Sequence, residues 1–413
     1  MEHCETLAII GGGASGIVAA ISAKRENPKT NVIVIERMKT FGKKLLATGN
    51  GRGNFSNFKM NPSYYNHPNF VKIVYEQVSF SNILDFFERL GILAKNDMEG
   101  RLYPYSDSAI AIHEVLSREM TRLQVHLKIE TEVKEIECKD GKFRLICDCD
   151  EIWADAVILT AGGCAYPKLG SNGSGYDLAS SLGHLPTNIK PSLVAIKVME
   201  NLKTLAGVRV KGMVSLFADK ALLHQEDGEI QMRDFGLSGI VVMQMSVRIA
   251  RRMVFGYVEE YFIHIDMMPS LSADEIFQLL KARRLNLGWV DVNDFFIGMF
   301  HKEIGIELMR RIKVESTQRA SSLSDVDLHS LCTKIKSLDF RFKDFYGFED
   351  SQVVSGGVDL SEVNPITMES KKVKKLFFAG EILDVDGETG GYNLHWAWAS
   401  GILAGKCAMK KCG

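Results

Sequence analysis

Several things are scarce in this 413-residue chain, and each absence removes a class of function. Net charge is only −1, with 50 Lys and Arg against 51 Asp and Glu. The basic surplus of an electrostatic nucleic-acid binder is therefore missing, and no nucleic-acid partner is expected. No stretch reaches ~18 uninterrupted apolar residues, so no membrane span is expected. The eight cysteines, at positions 4, 138, 147, 149, 164, 332, 407 and 412, form no C-x-x-C and no His/Cys cluster with zinc spacing. Cys147 and Cys149 lie two apart in a strand-like segment and point the same way, which makes them poor disulfide partners. A reduced, structural set is the expectation, with Cys164, beside a glycine pair, the candidate for reactivity. The opening residues MEHCET run straight into an apolar strand pattern and leave no room for a signal peptide, so a cytoplasmic location is the default. Internal repeats and low-complexity linkers are absent, and the strand–G-x-G-x-x-G signature occurs once.

What is present begins at that signature. Leu7 to Gly16, LAIIGGGASG, is an apolar strand followed by Gly11, Gly13 and Gly16 at the turn into a helix. The first glycine allows a tight turn, the second lets backbone N–H groups approach a pyrophosphate, and the third lets helix pack on strand. Ala14 and Ser15 open the helix, whose unpaired N–H groups and partial positive charge suit phosphates. Roughly 20 residues on, the strand NVIVIE ends in Glu36, whose carboxylate can accept ribose hydroxyls. Glu36 followed by Arg37 leaves both FAD and NAD open and disfavours a 2′-phosphate. Lys43, Lys44 and Arg52 form a basic patch suited to one pyrophosphate. The alternative, a structural glycine turn, explains neither the order of elements nor the terminal acid.

The rest of the chain orders itself around this unit. A glycine- and asparagine-rich loop spans Gly42 to Asn57, and a helical pattern covers about Phe80 to Leu90. Residues 124–149 alternate apolar and polar around Asp140-Gly141 and predict an antiparallel hairpin. Asp155 to Gly163 is another buried strand running into a glycine turn. From 191 to about 270 the pattern is β-rich, with a hairpin expected around Asp227-Gly228 and a helix after the Gly236–Gly239 turn. Methionines at 232–268 are read as core filling. From 271 to 340 it is helical, with capping-box sequences at Ser272/Glu275 and Ser324/Asp327. Leu328, Leu331, Ile335 and Leu338 form an apolar stripe. Lys374 to Glu381 is a strand ending in glycine and acid, and Gly390-Gly391 precede a helix from Asn393 to Cys407. The expected architecture is an α/β, Rossmann-like FAD-binding domain in two pieces, 1–190 and 346–413. A 191–345 insertion separates them, β-rich in its first part (191–270) and helical in its second (271–340). With one dinucleotide signature, a tightly held FAD is favoured, and NADH or NADPH enters only as a transient donor. N–H groups of Gly391 to Leu394 at the last helix's N-terminus suit charge gained by a flavin during reduction. The competing reading of GETGGYN is a simple turn before a helix, with Glu381 and Asp384 capping the loop. His395, Trp396 and Trp398 are read as packed residues.

Four segments together resemble the BaiN/YhiN-type flavoproteins, the family of bacterial aminoacetone oxidases and 3-dehydro-bile acid reductases. They are IIGGGASG, GKKLLATGNGRGNFSN, TAGGCAYPKLGSNGSGYDLA, and VVSGG…AGEILDVDGETGGYNLHWAWASGILAG. The resemblance implies FAD contacts at Gly11 to Gly16, Glu36, Arg37, Lys43, Lys44, Thr48, Asn50, Gly51, Arg52, Asn54 and Val133. Ala161, Gly162, Gly380, Glu381, Asp384, Gly391, Tyr392, Asn393 and Leu394 complete the implied shell. Two departures stand out: Gly53 replaces the family's cysteine, and Met232 to Ile240 replaces its F-T-H-x-G-x-S-G-P. The resemblance also implies that the insertion is a β-barrel-like domain with an appended helical subdomain. The implied activity is hydride transfer between flavin and a small or flat substrate lying against that inserted domain. The leading version reduces a C=C bond of a 3-oxo bile acid or similar enone. Amine oxidation by oxygen and a flavin-bearing redox sensor are the alternatives. Tyr392, His395, Arg233 and Asp234 are candidates for acid or base, and no oligomeric state is legible.

Overall fold

A computed structural model describes residues 5–410, so Cys4 and Cys412 lie outside the described residues. The described chain divides into two units. The first holds residues 5–193, 253–255 and 347–410; the second is Val194–Arg252 and Gly256–Tyr346.

The first unit is built on a five-stranded parallel sheet. Its parts are β1 (Thr6–Ile10), α1 (Ala14–Glu26), β2 (Asn31–Ile35), β3 (His126–Lys128), β4 (Ala156–Leu159), β5 (Leu376–Phe378) and α2 (Tyr392–Ala408). Strand order is β5-β4-β1-β2-β3, parallel at every pairing. The order reverses at β1, and ligands of such sheets bind beyond the strand ends at that switch point. Strands β1 and β4 are sealed inside, which accounts for their unbroken apolar runs. Small residues bring α1 and α2 together: a Cβ on Gly401 would collide with the Ser15 carbonyl oxygen, and one on Gly405 with that of Ala19. The opening and closing segments of the chain therefore share one core.

One correction concerns 124–149. The hairpin around Asp140-Gly141 comprises only Val133–Lys139 and Lys142–Cys147, with Glu151–Ala154 as a third strand. Residues 126–128 instead extend the parallel sheet beside β2. Their short alternation fits either partner, and the free edge of β2 takes them.

The second unit is a closed antiparallel barrel with helices appended. Its strands are, in order, Ile196–Val198, Gly236–Ser238, Ala221–Arg233, Arg209–Ala218, Tyr261–Asp266 and Leu338–Phe345. The expected turn at Asp227-Gly228 is wrong. Those residues lie inside Ala221–Arg233, and the hairpin turns at Asp219, where φ is +50°. Gly228 is small for another reason: a Cβ there would collide with Val241 on the helix Ile240–Val254. Met232 and Met245 are buried core residues. Both anticipated capping boxes form, at Ser272 of helix Ala273–Leu287 and at Ser324 of helix Asp325–Lys336. Leu328, Leu331 and Ile335 are buried along the second of these, whereas Leu338 begins a barrel strand. No helix among the described residues is long and apolar enough to cross a membrane, and none of their His, Cys, Asp or Glu residues cluster as a metal site.

Candidate functional site

At the C-terminal end of β1 the three glycines do three different jobs. Gly11 adopts φ +107°, and a Cβ there would lie 2.5 Å from the Thr160 carbonyl oxygen at the end of β4. Gly16 permits the first turn of α1 to touch the Gly11 carbonyl, with which any Cβ would collide. Gly13, the N-cap, has open space where its side chain would be. That opening is what a bound group needs to reach the unpaired N–H groups of the first turn, which starts at Ala14 and Ser15. Thr160 Oγ1 staples the turn by donating to the carbonyls of Ile10 (3.0 Å) and Gly11 (2.8 Å).

Glu36 is held rather than loose. Its carboxylate accepts the N–H groups of Gly12 and Met38, each at 2.8 Å, at the end of β2. It lines a cleft with Gly11, Arg37, Val133 and Ala161, joined by Thr131, Glu132, Gly170, Ser174 and Leu178. The last five were missed by motif reading. Their signal lay in the segment after Gly162 and in the turn before Val133, neither of which carries a chemical spacing of its own. Arg37 is spent on backbone, donating to the carbonyls of Gly170 (2.8 Å) and Pro167 (3.2 Å), and so fixes the cleft's far wall.

The loop from Gly42 separates into open and committed residues. Lys44 pairs with Glu381 at 2.8 Å, and the other Glu381 oxygen accepts the Val354 N–H at 3.1 Å. Lys43 reaches only the Lys168 carbonyl (3.3 Å), on the surface. Thr48 closes on the Leu45 carbonyl (2.7 Å), while Asn50 and Gly51 sit at φ +55° and +84°, Gly51 with nothing near its Cβ position. Arg52 turns to Asp107 at 3.0 Å and covers the Tyr103 ring. The hydrogen bond to Asp107 raises its pKa, while Lys95 and then Arg52 lower that of Asp107. Asn54 donates to the carbonyls of Ser56 (2.9 Å) and Leu102 (3.0 Å), a structural use. At Gly53, φ is +77° and a Cβ would lie 2.9 Å from Ala109 Cα, so a cysteine does not suit this backbone.

The closing segment meets the opening one at Gly380. There φ is +81°, and a Cβ would collide with the Ser15 hydroxyl, which itself donates to the Ala379 carbonyl at 3.3 Å. Gly162, also left-handed at φ +72°, flanks Glu381. Gly391 caps α2 at φ +99°, backed against the Ser56 carbonyl. Asn393 clamps the loop before it, donating to the Gly387 carbonyl (2.9 Å) and accepting the Gly387 N–H (2.8 Å). The Tyr392 carbonyl accepts from Tyr65 Oη at 2.8 Å, and Tyr65 in turn accepts from Tyr75 at 2.6 Å. Leu394 is half-buried. The first turn of α2 thus presents its N–H groups from a braced frame.

Among the acid–base candidates, burial pushes the Tyr392 phenol up to about 12. His395 is sealed, with Nδ1 against Ser56 Oγ at 2.8 Å and Nε2 unpartnered; burial pushes it down to about 3, so it stays neutral. Trp396 and Trp398 are buried, each donating to a backbone carbonyl. Arg233 and Asp234 belong to the barrel unit, where Arg233 stacks on Tyr346. Burial, then Glu381 and Asp177, raise the Cys164 thiol, which weakens its case for reactivity.

Taken together, the donors of α1, the carboxylate of Glu36, a cleft walled by Ile10, Val133 and Leu178, and a second helix N-terminus fit a dinucleotide such as FAD. Comparison with known proteins agrees. The model of a family described as HI0933-like protein Rossmann domain matches residues 5–407. The chain is 36% identical over 408 residues to the 3-dehydro-bile acid delta(4,6)-reductase of Clostridium scindens, covering 98% of this chain and 99% of that one. It is 28% identical over 414 residues to the ribosomal RNA dihydrouridine synthase of Escherichia coli K12, covering 97% and 96%. Among solved structures, a 3-ketosteroid-delta4-(5alpha)-dehydrogenase from Rhodococcus jostii RHA1 aligns at a TM-score of 0.47 and 13% identity, over 100% of this chain and 98% of that one. At that distance it informs neither substrate nor mechanism.

Proposed function

Because the chain belongs to the HI0933-like Rossmann-domain family and is an FAD-dependent oxidoreductase, we propose that it reduces a carbon–carbon double bond conjugated to a carbonyl, in a flat apolar substrate of the 3-oxo steroid type. The observation that carries this reading is the 36% identity to a bile acid reductase across nearly the whole of both chains. When bound, FAD supplies the two-electron chemistry. The chain's own residues supply position and field. First-turn N–H groups of α1 would hold the phosphates, and Glu36 would hold the ribose hydroxyls. The first turn of α2, Tyr392 to Leu394, favours negative charge beside it by about 0.3–1 kcal/mol through the helix dipole. That is enough to tune a potential and too small to hold a cofactor, so the hold would have to come from backbone donors at both helix ends together.

The relative named for dihydrouridine synthesis supports a second substrate for the same chemistry, since the C5=C6 bond of uracil is also conjugated to a carbonyl. A net charge of −1 favours the small molecule over RNA. Anaerobic mixing of the reduced protein with a 3-oxo-Δ4 steroid, and separately with ribosomal RNA, tests the choice. Rapid return of oxidised-flavin absorbance with the steroid supports the proposal. Return only with RNA replaces it by the second reading. Bleaching only by an amine, with peroxide formed on admitting air, overturns both.

A further inference from the structure

Reducing a conjugated double bond requires a proton as well as an electron pair, and the first turn of α2 offers no charged donor: burial raises Tyr392 to about 12, and His395 is sealed and neutral. Of the histidine–carboxylate pairs in the cofactor unit, one is spent. His184 is wholly enclosed, with Nδ1 on Glu362 (2.9 Å) and Nε2 on Ser370 Oγ (2.7 Å), so neither nitrogen is available. The other pair is built differently. His67 Nε2 is buried without a hydrogen-bond partner and lies 3.4 Å from Asp384 Oδ2, while the side chain as a whole keeps 30% exposure. Asp384 is 5% exposed at its side chain and pinned by Asn66 Nδ2 (2.8 Å) and Thr187 Oγ1 (3.3 Å). His67 occupies the N-cap of helix Pro68–Gln77, yet its ring makes no capping bond. Edge-on contact with Phe255, at 5.6 Å between ring centres, limits its rotation.

The backbone ties this ring to the mouth of α2. Asn66 N–H donates to the Asp386 carbonyl (3.2 Å), Asn66 Oδ1 accepts the Asp386 N–H (3.0 Å), and Tyr65 bridges Gly387. Tyr65 also donates to the carbonyl of Tyr392, the first residue of α2, so the segment carrying His67 is hydrogen-bonded to both the loop leading to Gly391 and the helix that follows it.

We propose that His67, oriented by Asp384, donates the proton in the reduction inferred above; the inference rests on that reading. The reduced flavin, when bound, would supply hydride: an N–H bond breaks, its hydrogen and electron pair form a C–H bond at the β-carbon, and the flavin is left oxidised. The π pair shifts toward the α-carbon and carbonyl oxygen, and the Nδ1 proton of the imidazolium forms the second C–H bond at the α-carbon. The neutral ring is reprotonated from solvent along its exposed edge. Asp384, with Oδ2 3.4 Å from Nε2, sets the orientation of the ring and is a positioning residue.

The test uses the FAD-loaded protein with His67→Gln and two substrates: the steroid enone and its nitroalkene analogue. A nitroalkene accepts the electron pair to give a stable nitronate and needs no enzymic proton. The expected result is unchanged flavin content and thermal stability, enone reduction slowed about 100-fold or more, and nitroalkene reduction kept within a few-fold. Equal loss on both substrates, or no loss on the enone, would overturn the assignment. If the unsubstituted protein ignores the enone but reduces the nitroalkene, the enone reading fails first and takes this assignment with it.

Discussion

Two helix N-termini in the cofactor unit start with glycine, and for opposite reasons. At Gly13 the glycine leaves a hole: nothing lies near its Cβ position, and the first turn of α1 opens outward. At Gly391 the glycine fills a crowded place, at φ +99° with the Ser56 carbonyl directly behind it. One glycine leaves open space at the helix end; the other makes room for the protein's own backbone. On the proposed reading the groups that α2 would turn toward a cofactor are its N–H donors, and the bonds behind them, from Asn393 to Tyr65, brace that turn.

The largest effect expected from this contrast is Gly391→Ala. Both its left-handed φ and the backbone oxygen behind it resist a methyl group, so thermal or urea unfolding should show a loss of about 3 kcal/mol, with flavin lost as well. Next comes Leu394→Pro, which removes one first-turn donor at a position where proline is tolerated. Losing a charge-assisted hydrogen bond worth ~1.5–3 kcal/mol should lower the flavin midpoint potential by roughly 30–60 mV, read by dye-coupled titration, with oxidised-flavin content little changed. An unchanged potential would remove α2 from the cofactor's electronics.

Acid should separate the two helix ends further, because only α2 buries a histidine. The folded pKa of His395, about 3, lies below the unfolded value of about 6.5. The unfolded chain thus takes up the proton first. The stability held by the neutral ring is complete above pH ~6.5 and is lost as pH falls toward 3, by at most about 1.4 kcal/mol per unit. Urea unfolding across that window should show a shallower slope in His395→Gln. The smallest stability change belongs to Gly13→Ala, under about 0.5 kcal/mol in the cofactor-free protein, yet FAD affinity should fall because the methyl enters the cradle. Equal losses of apoprotein stability at Gly13 and Gly391 would erase the contrast.

Much of this was legible because local spacing encodes it. The turn from Gly11 to Gly16, the acid closing β2 and the serine boxes at 272 and 324 each specify their own geometry within a few residues. What escaped depends on distant partners. Gly228 looks like a turn until Val241 is seen pressing on it. The resemblance implies cofactor contacts at Arg37, Arg52 and Asn54, and the partners their side chains take in this structure, nearby carbonyls and Asp107, are not encoded in that motif. His67 carries no motif at all, since its chemistry comes from Asp384 in the closing segment of the chain.

Both ends of the chain are expected to hold one cofactor, and a crystal structure of the FAD-loaded protein examines that directly. The pyrophosphate is expected on the Gly11–Gly16 turn, a ribose on Glu36, and the flavin ring within hydrogen-bond reach of the Tyr392–Leu394 backbone. A flavin ring seated away from that helix end, with the dinucleotide held by the opening turn alone, would contradict it.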